Sequence, residues 1–144
     1  MAITTACDAE PDPSGASWHP NGVRHAQGLL DETGRPTGPW AFWHGNGELR
    51  ETGQFDAGRR VGPWVQYHEN GLLASRGERA WDDDQGASAR HGRWTFWFSN
   101  GRLRARGNYR HGRREGPWEF YLDSGRHDQR KSGRYAGDIK VAAR

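Results

Sequence analysis

A short phrase that keeps returning constrains this 144-residue chain more than anything else in it. It reads Gly38-Pro39-Trp40, Trp43, Asn46-Gly47, Leu49, Gly53, Phe55 and Gly58, then Gly62-Pro63-Trp64, Tyr67, Asn70-Gly71, Leu73 and Gly77. Two more copies run Gly92-Arg93-Trp94, Trp97, Asn100-Gly101, Leu103, Gly107, Tyr109, Gly112 and Gly116-Pro117-Trp118, Tyr121, Ser124-Gly125, Gly133, Tyr135, Gly137. A weaker copy opens the chain at Trp18, Asn21, Gly22 and Gly28. A fixed period of this kind specifies an array whose units bury surface only against their neighbours.

Composition agrees with such an array. Only 33% of residues are apolar, and eight Trp, five Phe and four Tyr carry most of the hydrophobic load beside 21 Gly. Large flat side chains each bury about 150–250 Å² and make a thin core without a second layer. The net charge is +3 with acidic residues interspersed, so charge alone points only weakly to an acidic partner. One cysteine excludes an internal disulfide and fits a reducing compartment. The first residues lack the basic and apolar segments of a signal peptide, and the expected location is the cytoplasm.

The turn position recurs at Asn21, Asn46, Asn70, Asn100 and Ser124, at intervals of 25, 24, 30 and 24 residues. Asn-Gly between strand-like runs predicts two-residue type I′ hairpins. In that register Trp40 pairs with Gly53, Trp64 with Gly77 and Trp94 with Gly107, so each indole is expected to lie across the glycine of its own hairpin. The last copy carries extra residues before Gly133, which predicts a bulge or wider loop. The expected fold is all-β, an elongated single-layer antiparallel meander of four to five repeated hairpins and nine or ten strands. Residues 1–14 form a flexible leader, 15–137 the repeat domain with a loop insertion at 80–90, and 138–144 a tail.

The pattern G-x-W-x-x-W/Y-x-x-N-G-x-L-x-x-x-G-x-F/Y-x-x-G resembles the MORN repeat in its bacterial variant form, over roughly residues 15–137. The resemblance implies hairpins laid side by side in a twisted sheet. It also implies binding rather than catalysis, because bacterial proteins built only of this variant are commonly labelled antitoxins or immunity proteins. Other MORN proteins are linked to membrane lipids or to assembly.

Alternation along the strands sorts the side chains by face. Trp40, Trp64, Trp94 and Trp118, with Phe42, Phe55, Phe96, Tyr109, Phe120, Leu49, Leu73 and Leu103, read as the packed ridge. The other face carries Trp43, Tyr67, Trp97 and Tyr121, and the same register sets Arg50 opposite Trp43 and Arg104 opposite Trp97. Arg over Trp is a favourable cation–π pair, and these residue types are enriched in interface hot spots. The six residues Trp43, Arg50, Tyr67, Trp97, Arg104 and Tyr121 are therefore either a cover for the second face or the surface that takes a protein partner.

The turns at Arg59-Arg60 and Arg113-Arg114 line one expected edge. They are either solvated residues that discourage edge pairing or an anion site for phospholipid head groups. Nucleic acid is disfavoured because the aromatics are committed to packing. His19, His44 and His68 share one repeat position, but successive hairpins put them roughly 9–10 Å apart, too far for one metal ion. Asp82, Asp83 and Asp84 lack a calcium-loop spacing. No catalytic arrangement and no cofactor motif is present. The reading is a non-catalytic adaptor for a protein partner, a toxin being the concrete version. Peripheral binding to anionic lipid is the alternative, and pairing of end strands offers a route to a homo-oligomer.

Overall fold

Gly, Pro and aromatic residues at these intervals build strands and turns, and a computed structural model describes residues 15–141 in that form. Eleven strands follow one another: β1 Ser17–Trp18, β2 Arg24–Leu30, β3 Pro36–Trp43, β4 Leu49–Asp56, β5 Arg59–Tyr67, β6 Leu73–Asp82, β7 Ala87–Trp97, β8 Leu103–Arg110, β9 Arg113–Phe120, β10 Gly133–Ala136 and β11 Ile139–Lys140. They lie in sequence order in a single antiparallel sheet. Among the described residues every regular element is a strand, and the sheet is the expected single-layer meander. The leader 1–14 and residues 142–144 lie outside the described residues.

The expected register is found. Trp40 pairs with Gly53, Trp64 with Gly77 and Trp94 with Gly107. The direction of the indoles is the reverse of the expected one. Trp64 covers Gly53, Trp94 covers Gly77 and Trp118 covers Gly107, each a glycine of the preceding hairpin, and Trp40 likewise covers Gly28. A bulge on the entering strand is the reason. Between the pairs Thr52–Val65 and Gln54–Val61, the single Gly53 faces the three residues Gly62-Pro63-Trp64. Gly62 takes φ +69°, a left-handed conformation that suits glycine, and Pro63 has no amide to withhold from the ladder. The extra residues push the indole back over the strand before it. The same three-against-one step recurs at Gly77 and Gly107.

Both turn types also differ from expectation. At Asn46-Gly47 the His44 carbonyl accepts from the Gly47 amide at 3.0 Å, and the His44 amide donates to the Glu48 carbonyl at 2.8 Å. Only Gly47 has positive φ there, so this is a three-residue loop with a left-handed glycine. The two-residue turns sit on the opposite edge. Ala57-Gly58 and His111-Gly112 both have positive φ and join the pairs Asp56–Arg59 and Arg110–Arg113.

The asparagines act between repeats. Nδ2 of Asn46 donates to Glu69 O at 2.8 Å and Nδ2 of Asn70 to Ser99 O at 2.6 Å, stapling each turn to the next. Nε2 of His44 donates to Tyr67 O at 2.9 Å and that of His68 to Trp97 O at 2.9 Å. The repeated histidines are thus backbone ties. Residues 80–90, expected as a loop, instead lengthen the β6–β7 hairpin through the pairs Arg79–Arg90 to Asp82–Ala87. The wider loop expected in the last copy lies between β9 and β10.

Candidate functional site

Four indoles form the spine of one face. Trp64, Trp94 and Trp118 are at most 2% exposed and Trp40 is also buried. Three of them anchor their Nε1–H on a carbonyl of the preceding strand: Trp40 on Leu29, Trp94 on Glu78 and Trp118 on Asn108, each at 2.9 Å. Trp64 Nε1 is buried without such a partner. Partly exposed rings complete this ridge face. Phe55 meets Trp64 edge-on at 5.3 Å, Tyr109 meets Trp118 edge-on at 5.0 Å, and Phe120 stacks on Trp118 at 5.7 Å. Packing the rings this way forms an apolar band with no second layer over it among the described residues.

Guanidinium groups lie over that band. Arg60 sits 4.2 Å from the Trp64 ring, Arg90 5.2 Å from Phe96, Arg114 4.6 Å from Tyr135, Arg50 5.6 Å from Phe42 and Arg104 5.4 Å from Phe96. The expected pairs Arg50–Trp43 and Arg104–Trp97 are therefore corrected. Trp43 pairs with Leu49 and Trp97 with Leu103, and the register slips one residue just before each pair. A one-residue bulge moves the following side chain to the other face, which delivers both arginines to the ridge.

The six predicted partner residues consequently do not share a face. Trp43 lines a shallow depression on the far face with Ala41, Thr52 and Val65. Tyr121 is engaged on that far face too: its hydroxyl donates to Glu119 at 2.9 Å, and Glu119 pairs with Arg106 at 2.7 Å. That hydrogen bond to Glu119 holds the Tyr121 phenol above its ordinary pKa. Tyr67 and Trp97 occupy the same repeat position and are half-buried. Arg50 and Arg104 stand on the ridge face instead.

The basic edge also divides. Arg60 and Arg114 turn onto the ridge face, where Arg60 holds Glu51 at 2.8 Å and Arg114 holds Asp138 at 3.2 Å. Arg59 stacks on Trp81 at 3.8 Å, and Arg113 remains exposed at its turn. The expected row of four guanidiniums along one edge is not formed.

The second hairpin interrupts the ridge. Where three other copies place Phe42, Phe96 and Phe120, it places Gln66; where they place Phe55, Tyr109 and Tyr135, it places Arg79. Ring pairs accordingly fall into two sets, one ending at Trp64 and the other beginning at Trp94, and none among the described residues joins them. The gap holds a buried polar network. Glu51 accepts from Gln66 at 3.1 Å as well as from Arg60, and Ser75 donates to Gln66 at 3.0 Å. Burial alone would raise the Glu51 pKa, but the bonds from Arg60 and Gln66 outweigh it and hold the carboxyl below its ordinary value. Sequence reasoning missed this gap. Its signal was the loss of an aromatic at two repeat positions of one copy.

On the lengthened β6–β7 hairpin, Asp82 accepts from His111 at 2.9 Å, with Asp84 3.8 Å from the same ring nitrogen. Although burial opposes it, bonds from His111 and the Gln85 and Asp84 amides keep the Asp82 carboxyl below its ordinary pKa. These three side chains are close enough to share a cation, but both oxygens of Asp82 already accept hydrogen bonds from within the protein.

The family model for the MORN repeat variant matches residues 90–111, the span that ends β7 and contains β8. This match supports a MORN repeat protein, and the same spacing recurs in the neighbouring hairpins. Repeats of this family are non-catalytic modules that commonly bind proteins or membranes. No curated protein matches the chain. No helix among the described residues is long and apolar enough to cross a membrane.

Proposed function

We propose that the chain is a non-catalytic repeat module that holds an acidic stretch of a protein partner along its ridge face. One observation carries this reading. Arg50, Arg90 and Arg104 lie over the aromatic band with no carboxylate partner among the described residues. A guanidinium stacked on a ring is positioned in advance and retains free N–H donors for a bidentate contact. Carboxylates on the partner would meet these donors while its apolar atoms cover the rings between them. A toxin is one such partner, which the resemblance to antitoxin and immunity proteins favours by analogy alone. The cytoplasm remains the proposed location.

Lipid binding through the turn edge draws less support, because Arg60 and Arg114 are taken up by Glu51 and Asp138. The test compares two variants in affinity capture from native lysate, followed by titration of the captured protein. The triple variant Arg50→Ala, Arg90→Ala, Arg104→Ala is expected to weaken binding by at least about 30-fold, as hot-spot residues do. The far-face variant Trp43→Ala, Trp97→Ala is expected to bind normally. Loss in the far-face variant alone would refute the assignment. Flotation with anionic liposomes in place of any protein partner would transfer the function to lipid.

A further inference from the structure

The gap in the ridge sets two arginines side by side. Arg79 and Arg90 are directly paired residues on β6 and β7, so their side chains leave the sheet side by side. Both guanidiniums lie over one indole, 5.9 Å and 5.2 Å from the ring of Trp94. Like charges placed opposite each other on a sheet destabilise it, and the equivalent pair elsewhere sets Arg60 against Phe55 and Arg114 against Tyr109. The middle of the array thus gives up an aromatic contact and accepts a repulsion. The rings of Trp94, Phe96 and Tyr109 beneath Arg90, and its 3.5 Å bond to the Tyr109 hydroxyl, offset part of that repulsion, but a local rule broken in one copy still marks a functional position.

The charges around the gap are unbalanced. Arg60, Arg79 and Arg90 face one carboxylate, Glu51, and that group is already held by Arg60 and Gln66. Neither Arg79 nor Arg90 has an ion pair among the described residues. Nε of Arg90 is buried with no acceptor among the described residues, which is costly for a charged donor. Arg79 is drawn below the usual arginine pKa, first by burial and then by the fields of Arg90 and Arg60. An anion between the two guanidiniums would relieve the repulsion and offset the charge of the half-buried pair.

We infer that Arg79 and Arg90, flanked by Arg60 over Trp64 and Trp94, form an oxyanion-binding notch that receives a carboxylate side chain of the bound protein. The choice of a protein carboxylate rests on the function proposed above; the notch itself rests only on the geometry around Trp94. Two forks lying over one ring fit the planar carboxylate of Asp or Glu, with the ring flooring the site.

The experiment follows the Arg Nε–Hε resonances of the full chain by NMR while a hexaglutamate peptide is added at low salt. Saturable shifts are expected at Arg79 and Arg90, and inorganic phosphate at equal charge is expected to compete poorly. Arg79→Tyr installs the side chain already held at Tyr109 and Tyr135, so it is expected to fold; it should weaken peptide binding at least fivefold and lift Tm. Arg90→Gln checks the result through the other strand and should lose the same affinity. Equal binding by wild type and both variants would overturn the notch. Tighter binding of phosphate than of peptide would overturn the carboxylate. The Arg50→Ala, Arg104→Ala variant separates the two ideas. It should keep the Arg79 shifts even if no partner uses the ridge.

Discussion

Trp64 lies on Gly53, so closely that any side chain at Gly53 would overlap the indole. Gly53 belongs to the hairpin before the one that carries Trp64. Each tryptophan therefore binds two repeats together, and the ridge is a chain of contacts between units. Stability in such an array resides in the nearest-neighbour interfaces. The binding face inherits its rigidity from them.

Gly53→Ala and Gly62→Ala separate the two demands made on glycine. The first forces a methyl into the Trp64 ring and is expected to cost about 1–3 kcal/mol or more, with a changed near-ultraviolet signal from the displaced indole. The second has open space around it but a φ of +69°, so it is expected to cost roughly 1–2 kcal/mol with the indole signal intact. Urea denaturation with near-ultraviolet circular dichroism distinguishes them. Identical spectra for the two variants would contradict the contact.

Asn70→Ala removes the donor to Ser99 O and the acceptor of the Leu72 amide. The expected loss is about 1 kcal/mol, with faster amide exchange at Leu72. Ser124→Ala is expected to cost less, since that hydroxyl only reaches the Arg126 amide at 3.4 Å. Hydrogen exchange on both variants checks the order.

Acid should loosen the gap in the ridge. The Glu51 carboxyl has a folded pKa below its unfolded value, so its contribution is complete above the unfolded pKa of about 4.3 and disappears as pH falls through the lower folded one. Glu51→Gln is expected to cost on the order of 1–3 kcal/mol at pH 7, because Arg60 loses its partner, and to flatten the dependence of stability on pH below about 4.3. Asp31 behaves alike at the β2–β3 turn. The Arg35 amide, followed by the Thr33 hydroxyl, holds it at about 2, so its contribution to that turn is complete above the unfolded pKa of about 3.9 and is lost as pH falls through about 2. Parallel pH–stability curves for wild type and Glu51→Gln would refute the first assignment.

What the chain reveals without coordinates follows from how each feature is encoded. The pairing of Trp94 with Gly107 was legible because the one-residue bulge beyond the three-residue turn restores the register that a two-residue turn at Asn100-Gly101 would set. Its lean onto Gly77 was not, since a glycine flanks each tryptophan on both sides and only the Gly92-Arg93-Trp94 bulge breaks the symmetry. The faces of Arg50 and Arg104 were misjudged for a similar reason: one unpaired residue beside the turn reverses every later assignment near it. His44 and His68 were placed at one repeat position from the sequence, while their bonds to the next repeat needed coordinates. The gap at Gln66 and Arg79 was missed, because the meaning of an arginine at position 79 depends on Arg90 standing opposite.

The most direct test of the account is the chemical shift of the Gly53 α-protons. Lying under the Trp64 ring, they are expected to resonate well upfield of a strand glycine, to return to ordinary values in Trp64→Leu and to stay shifted in Trp40→Leu. A Gly53 signal that answers to Trp40 and ignores Trp64 would contradict the account, for the hairpins would then be separate units with no common ridge to present.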